Sequence, residues 1–452
     1  MEFLKPIGDI FLFVTTLIVL SASLLLTIKT RFIQFRKLPY MLRLFFSLIF
    51  KRHLEAEGPS TVRAHKALFT AMSTTIGIST IVSPFIAMRL GGPGAILGFL
   101  LATFLGAAVN FTEVTFALSY RKTHPTTGVA GGPMQYLHDE IRPFLAKWYA
   151  FFTFLLMMGW SAAQANQLGA ILSSPQLGHI HIPVWATGAF LAVTITAILL
   201  GGVKRVANFS AKLVPLMFFL YVGGALWIVC SNLEKFPAIC KMVFDSALAP
   251  QAFGSGVIVG GIVSAFRWGV LKGLQSNEAG VGTQTIPHSM AETDGAAEQG
   301  ILSMIATYSA GFICMLSCLV ALMTESWINP NLGLGIEMVA YSFQSYFSTI
   351  GLIVVAVSAF LFAFGTILGN SFNGSQCYIY LTKNRYLFAY YLATGALVFV
   401  GSIIDAAAIW SLVDFMLVPV LVPHILSIVY LSYKQGALLK QADPVLVDTV
   451  SQ

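Results

Sequence analysis

The sequence predicts an all-α integral membrane protein with about eleven transmembrane helices. Hydrophobic residues make up 57% of the 452 residues and charged residues only 10%, whereas a soluble domain carries about 25% charged residues. Apolar windows of about 18 to 26 residues, long enough to span a bilayer, recur along the whole chain. Two of these windows are interrupted by glycine near their centres, at Gly77 and at Gly260-Gly261. We therefore expect a membrane bundle in which two helices are broken at mid-depth.

The predicted spans follow one another with short connections. In chain order they are residues 10–28, 67–88, 94–119, 148–172, 183–203, 213–230, 252–274, 300–323, 348–372, 386–404 and 406–431. Without the first span, ten are left, and the two interrupted spans stand first and sixth and run in opposite directions. Paired interruptions in two five-helix halves predict an inverted repeat with its site near the middle of the membrane. The chain then divides into an N-terminal helix with a basic segment, two repeats and a tail: residues 1–66, 67–230, 252–431 and 432–452.

The first loop is strongly basic. Nine Lys and Arg residues lie from Lys29 to Lys66, interleaved with aromatic and aliphatic residues, which predicts an interfacial segment on the cytoplasmic side. With that loop inside, the alternation of spans leaves only four of the 26 basic residues outside, namely Lys5, Arg89, Lys235 and Lys241. This excess predicts an external N-terminus and a cytoplasmic C-terminus. The formal net charge of +7 is then explained by the excess of basic residues on the cytoplasmic side of the membrane. It does not indicate a nucleic-acid partner, and we expect none.

Several other features bear on function. Gln164, Asn166 and Gln167 share one apolar span, so their amides must bind either neighbouring helices or a substrate. Asp414 lies about 12 Å inside the final span, where an ionisable group is a functional candidate and a structural hydrogen bond is the alternative. The external segment 324–348 contains an amphipathic stretch, 336–347, that predicts a short helix or a plain connector. No H-E-x-x-H pattern or Ser/His/Asp set is found, which disfavours an enzyme.

The most specific pattern follows the second interruption. It reads Gly269-Val-Leu-Lys-Gly273 and then Ser276-Asn-Glu-Ala-Gly-Val-Gly282, and it closely resembles the signature of the alanine/glycine:cation symporter family. Read alone, Ser276 and Asn277 would merely cap helices. Similar elements elsewhere, such as Leu90-Gly-Gly-Pro-Gly94, extend the resemblance over nearly the whole chain. The resemblance implies a LeuT-type fold with a five-plus-five inverted repeat and one added N-terminal helix.

The resemblance also implies a function. We expect a secondary transporter of the bacterial inner membrane that imports a small neutral amino acid, alanine or glycine, with a cation. Sodium is the first expectation for that cation, and a proton-coupled or uncoupled permease of the same fold is the alternative. The implied partners are the amino-acid substrate and the lipid bilayer, and no cofactor is implied beyond a sodium ion. A channel is disfavoured, because interrupted helices in paired halves favour an alternating site, and an intramembrane enzyme is disfavoured because no catalytic motif is found.

The same scheme assigns candidate residues. Backbone N–H groups after Gly77 would hold the substrate carboxylate, and carbonyls that end the half-helix at Gly260 would hold its ammonium group. The candidate substrate site comprises Gly77, Ile78, Ser79, Thr80, Gln164, Gly260, Gly261 and Asn370. The candidate cation site comprises Thr74, Thr366 and Asp414, the last as the proton-coupling alternative.

The chain departs from the family pattern at several of these positions. It reads Gly77-Ile-Ser-Thr80 where the family commonly has G-T-G-N. It also has Gly365, Asn370 and His424 where serine, tryptophan and asparagine are usual. Since several small polar ligand positions differ together, the substrate and the coupling ion are the open questions, and both sodium and proton coupling stand as hypotheses.

Overall fold

Helices dominate the structure, a computed structural model that describes residues 5–50, 61–124, 128–174, 182–248, 261–293 and 295–442. The first helices are α1 (Lys5–Lys29), α2 (Ile33–Arg36), α3 (Leu38–Phe50), α4 (Ala64–Thr75), α5 (Ile78–Gly91), α6 (Ala95–Ser119), α7 (Pro133–Tyr136), α8 (Pro143–Leu172), α9 (Val184–Leu199), α10 (Gly202–Cys230) and α11 (Phe236–Leu248). They are followed by α12 (Gly261–Asn277), α13 (Thr285–Ser289), α14 (Ala296–Thr324), α15 (Ile336–Thr382), α16 (Leu387–Ile403), α17 (Ala406–Lys434) and α18 (Gly436–Lys440). A π-helical turn, Leu137–Ile141, joins α7 to α8, and a 3-10 turn, Leu233–Lys235, precedes α11.

Two pairs of short strands tie loops together. β1 (Val62–Arg63) pairs in parallel with β4 (Ala291–Glu292). β2 (Lys122–His124) pairs in antiparallel fashion with β3 (Gly128–Ala130). The first pair fixes the chain that enters α4 against the chain that leaves α13.

Each predicted span overlaps a helix, but the helices differ in length. Within the described residues, five helices are long and apolar enough to cross a membrane, and the bent pair α4 and α5 would make a sixth. The apolar helices α9 and α16 are shorter, at 16 and 17 residues. The protein is therefore a multi-pass helical membrane protein, and the count of eleven spans stays a prediction.

The first predicted break is a bend in the structure. α4 ends at Thr75 and α5 begins at Ile78, and the two helices are bent by 42°. The Thr80 hydroxyl donates to the carbonyl of Thr75 at 2.9 Å and accepts from the N–H of Gly77 at 3.2 Å. Thr80 thus satisfies two backbone groups that the interruption would otherwise leave unpaired in the membrane.

The second predicted break lies at the limit of the described residues. α12 begins at Gly261, and Gly260, with the predicted span from residue 252, lies outside the part of the chain that the structure describes. The paired, inverted arrangement of the two breaks therefore stays a prediction.

α15 includes residues 336–347, for which the sequence left a short helix and a plain connector open, and the structure shows a helix there. Its backbone leaves the helical conformation at Ser348, where φ is 51° and ψ is −135°. Residues 336–347 thus form a separate helical arm, and the residues after 348 continue to Thr382. Arg89, at the end of α5, donates to the carbonyl of Leu332 at 2.8 Å and to that of Asn329, which anchors the loop that leads into this arm.

Glycines allow α12 to pack closely on α6. A Cβ at Gly98 would lie 2.7 Å from the backbone nitrogen of Val270, and one at Gly273 would lie 2.6 Å from Cβ of Ala102. Real Cβ atoms do not approach so closely, so each position requires glycine unless the backbones separate. The glycines of the Gly269-Val-Leu-Lys-Gly273 motif therefore have a packing role on α6.

One end of the bundle is basic. At this end Lys434, the last residue of α17, lies 3.0 Å from the Glu140 carboxylate. The hydrogen bond from Lys434 holds the pKa of the Glu140 carboxyl below its usual range. Lys122 lies 2.6 Å from Asp139 in the same loop region, and Lys29 lies over the ring of Tyr433 at 3.9 Å. We call this the basic end; the predicted topology makes it cytoplasmic.

Candidate functional site

A cavity of about 180 Å³ lies where the break between α4 and α5 meets α8, α12, α15 and α17. The structure brings six of the candidate residues to its wall: Thr74, Ser79, Gln164, Thr366, Asn370 and Asp414. The lining extends along α5 as far as Ile86, towards the end of the bundle opposite the basic end. A polar cavity next to a helix break is the site type expected for a small polar ligand.

The backbone at the break is partly occupied by the protein itself. The N–H of Ile78 donates to Oε1 of Gln164 at 3.1 Å, so Gln164 bridges α8 to the start of α5. A substrate carboxylate that binds this N–H must displace the Gln164 amide or share the site with it. Thr80 is fully buried and its hydroxyl is used within the break, so the structure does not bring that side chain to the cavity.

Gly77 lies in contact with two candidate side chains. A Cβ at this position would lie 2.7 Å from Oγ1 of Thr366 and 3.2 Å from Nε2 of Gln164. The φ of Gly77 is −113°, which other residues also adopt, so glycine is required here for space and not for conformation. The close approach places the helix break directly against α8 and α15.

Oxygen atoms from two helices meet beside Gly77. The Thr366 hydroxyl lies 3.4 Å from the carbonyl oxygen of Ile76, and the Thr74 hydroxyl, which lines the same cavity, donates to Ala71 at 2.7 Å. Oxygen ligands of this kind suit a hard monovalent cation. A side chain at Gly365 would point elsewhere, because its Cβ would lie 2.9 Å from Cδ2 of Leu213 on α10.

Several polar atoms on the cavity wall lack partners. Among the described residues, both amide atoms of Asn370, Oε1 of Gln167 and Oγ of Ser276 make no hydrogen bond. Asn370 is completely buried and Ser276 is 3% exposed. Buried polar groups in native proteins are nearly always hydrogen-bonded. These unpaired atoms therefore point to a polar ligand or water in the cavity.

Three ionisable side chains also border the cavity, namely Lys272, Glu278 and Asp414. Lys272 donates to Gln275 at 3.2 Å, and Glu278 accepts from the Thr283 hydroxyl at 2.5 Å. Glu278 has a φ of 51°, so the chain turns sharply after α12 at this residue. The sequence motif pointed to this stretch, but nothing in it indicated that Lys272 and Glu278 face the same cavity as Asp414.

Other motif residues have structural roles. Asn277 donates to the carbonyl of Ala102 at 3.0 Å and accepts from the N–H of Ala279 at 3.1 Å, which fixes the end of α12 on α6. Asn166 donates to the carbonyls of Gly401 and Ile404 at 3.0 and 2.7 Å, so it joins α8 to the end of α16. Of the three amides in α8, Gln164 and Gln167 thus face the cavity and Asn166 does not.

Comparison with known proteins places the chain among transporters. The model of a family described as the sodium:alanine symporter family matches residues 2–443. An uncharacterized transporter of Haemophilus influenzae is 34% identical over 91% of this chain and 90% of its own length. The sodium/alanine symporter AgcS of Methanococcus maripaludis is 29% identical over 92% of this chain and 91% of its own length.

Solved structures give the same fold at low identity. A Na⁺-coupled sialic acid symporter aligns with a TM-score of 0.57 and 14% identity, covering 86% of this chain and 83% of that one. A manganese transporter of Eremococcus coleocola aligns with a TM-score of 0.54 and 11% identity, covering 83% and 78%. At such identities the likeness concerns the fold alone.

Proposed function

The chain belongs to the sodium:alanine symporter family, and we propose that it imports a small neutral amino acid, alanine or glycine, together with one monovalent cation. The proposed membrane is the bacterial inner membrane. We expect this protein to transport its substrate and not to catalyse a reaction, since its family is one of transporters.

The charge of the cavity is the observation that carries this proposal. Among the side chains that the structure describes, one positive group, Lys272, and two negative groups, Glu278 and Asp414, border it, so these three together carry one net negative charge when all are ionised. An amino-acid zwitterion adds no net charge, and one bound cation balances the remainder. Because an uncompensated charge inside a membrane protein is costly, the zwitterion and the cation are expected to bind together.

The proposed binding mode uses the break and the unpaired amides. The substrate carboxylate binds at Ile78 and Ser79, at the positive end of the α5 dipole, after Gln164 releases the Ile78 N–H. The polar groups of the bound substrate then supply hydrogen-bond partners for the side chains of Asn370 and Ser276. The bound cation takes oxygens of Ile76, Thr74 and Thr366. A small cavity limits the substrate side chain by volume, which discriminates by about 1 to 3 kcal/mol per methylene, so alanine, glycine and serine are expected to compete.

We propose sodium as the coupling ion. Proton coupling is the alternative, because Asp414, an ionisable residue, lies on the cavity wall. In proteoliposomes, Thr366→Ala is expected to raise the sodium concentration needed for half-maximal alanine uptake at least about tenfold, about 1.4 kcal/mol. Thr366→Ser keeps the hydroxyl and is the matched control. Uptake that ignores sodium, follows an inward proton gradient and is lost in Asp414→Asn would replace sodium coupling with proton coupling.

The proposed topology is an external N-terminus and a cytoplasmic C-terminus. A membrane-impermeant maleimide added to intact cells is expected to label Cys230, which is exposed at the end of α10, and to leave a cysteine placed after Gln452 unlabelled. Cys230 is thus an internal positive control. Strong labelling of the C-terminal cysteine together with protection of Cys230 would mean the opposite orientation.

A further inference from the structure

A short segment separates the cavity from the basic end. We call residues 278–284, which follow α12, the closing segment. Glu278 at its start lines the cavity, and Gly280 and Gly282 have positive φ values of 90° and 86°. A Cβ at Gly282 would lie 2.7 Å from Cε1 of His424. His424 lies about 15 Å along α17 from Asp414, towards Lys434, so the closing segment packs on the part of α17 between the cavity and the basic end.

Side chains from three elements hold this segment. Nδ1 of His424 lies 2.6 Å from the carbonyl oxygen of Gly280, and since a carbonyl only accepts, Nδ1 carries the hydrogen. Nε2 then accepts from the Tyr136 hydroxyl at 2.5 Å when the imidazole is neutral. The Tyr149 hydroxyl donates to the carbonyl of Val281 at 2.8 Å. His424 therefore links α7 and α17 to the closing segment through both of its ring nitrogens.

A buried carboxylate accompanies this histidine. Glu113 on α6 is 1% exposed, and its Oε1 lies 3.7 Å from Nδ1 of His424. Within the described residues, no Lys or Arg lies within 4 Å of Glu113, and its Oε1 makes no hydrogen bond. The pair therefore has no permanent positive partner.

The surrounding titratable groups add no positive charge. In the described part of the chain, those near the pair are Tyr136 on α7, Tyr149 on α8 and Glu278 in the closing segment, and Cys377 on α15 lies near Tyr149. An ionised Glu113 beside a neutral His424 would leave a buried negative charge near Glu278. One added proton on either Glu113 or His424 makes the pair neutral overall. Because the two groups interact, they share this proton, and its titration is a property of the pair.

We propose that Glu113 and His424 bind one exchangeable proton and act as a latch that holds the closing segment shut while the proton is bound. This rests on the proposed transport function, in which the basic side of the cavity must open to release the substrate. Loss of the proton leaves a charge on Glu113 beside the Nδ1–H that His424 donates to the Gly280 carbonyl, and close to Glu278. The repulsion and the cost of burying that charge favour release of the closing segment and entry of water from the basic end.

Cys377 supplies a native reporter for this opening. It is fully buried, its Sγ lies 4.0 Å from Sδ of Met134 on α7, and five residues separate it from the end of α15. Movement of α7 away from His424 would expose it. The experiment measures maleimide labelling of Cys377 by peptide mass spectrometry, in nanodiscs that expose both ends of the protein, without amino acid and from about pH 6 to about pH 9.

Glu113→Gln cannot release a proton and serves as the reference at each pH, which cancels the intrinsic pH dependence of the thiol. We expect the labelling ratio of wild type to Glu113→Gln to rise about fivefold or more with pH. At low pH, His424→Asn and Tyr136→Phe should each label about fivefold faster than wild type, because each removes a hydrogen bond of the latch.

A wild-type to Glu113→Gln ratio that stays constant with pH would overturn the proton site. Unchanged labelling in both His424→Asn and Tyr136→Phe would overturn the latch. Tyr136→Phe removes one hydroxyl and keeps the ring, so it serves where His424→Asn fails to fold. Alanine uptake by the same purified proteins in proteoliposomes tests the proposed function separately, since the labelling needs no substrate.

Discussion

Replacing Gly77 with alanine is expected to lower amino-acid uptake at least about 100-fold, about 2.7 kcal/mol, while the protein still inserts into the membrane. The added Cβ would lie 2.7 Å from Oγ1 of Thr366 and 3.2 Å from the Gln164 amide. Thr366 cannot rotate away without leaving the Ile76 carbonyl, and Gln164 cannot move without leaving the Ile78 N–H. One methyl group thus disturbs the proposed cation site and the proposed carboxylate site together.

Gly223→Ala is the matched control for this variant. Gly223 is exposed within α10, and a Cβ there would have no heavy atom within 4 Å, so the substitution should leave uptake unchanged and slightly favour the helix. Both variants are compared by initial uptake rate in proteoliposomes at equal protein density. If Gly77→Ala transports within a few fold of wild type, the contact between the break and α15 has no part in transport.

Much of the architecture follows from local sequence. The apolar windows predict where helices lie, and Gly77 within a run of small and β-branched residues predicts a bend that the structure places between Thr75 and Ile78. The arm before Ser348 was one of two alternatives that its amphipathic sequence allowed, the other being a plain connector. The helix positions and the bend depend on the residues of a single segment, so one sequence is enough to predict them.

The composition of the cavity could be predicted only in part. Six candidate residues reach its wall, but Lys272 and Glu278 were not among them, although both belong to the motif that carries the family resemblance. Glu278 faces the cavity because the chain turns there with a φ of 51°, and helical periodicity ends at such a turn. Asn277, its neighbour, instead binds Ala102. Which of two adjacent polar residues faces a cavity depends on the packing of α12 against α6, and a single sequence does not contain that information.

The role of Thr80 shows the same limit of local reasoning. Its position in the interrupted span made it a candidate substrate-site residue, yet its hydroxyl caps backbone groups of the break. A hydroxyl can serve the backbone or a ligand equally well on chemical grounds. The choice is made by the 42° bend, which brings the Thr75 carbonyl and the Gly77 N–H to the Thr80 side chain.

Asn370→Ala is expected to abolish the stabilisation of the protein by alanine without lowering the stability of the ligand-free protein. Both amide atoms of Asn370 are buried and, in the described part of the chain, unpaired, and an unsatisfied buried polar group costs about 1 to 3 kcal/mol. Removing the amide relieves that cost and offsets the loss of packing. A ligand at about 100 times its dissociation constant should stabilise the wild type by about 2.7 kcal/mol, and this gain should vanish in the variant.

Asn373→Ala separates a ligand contact from a general effect of removing an amide. Asn373 lies one turn further along α15, is also fully buried and also has two amide atoms without partners among the described residues, but it does not line the cavity. Thermal unfolding with and without alanine is measured for both variants. Asn373→Ala should keep the alanine-dependent shift in Tm, and Asn370→Ala should lose it. A shift of wild-type size in Asn370→Ala would remove this residue from the substrate site, and the unpaired amide would then have to be satisfied by water alone.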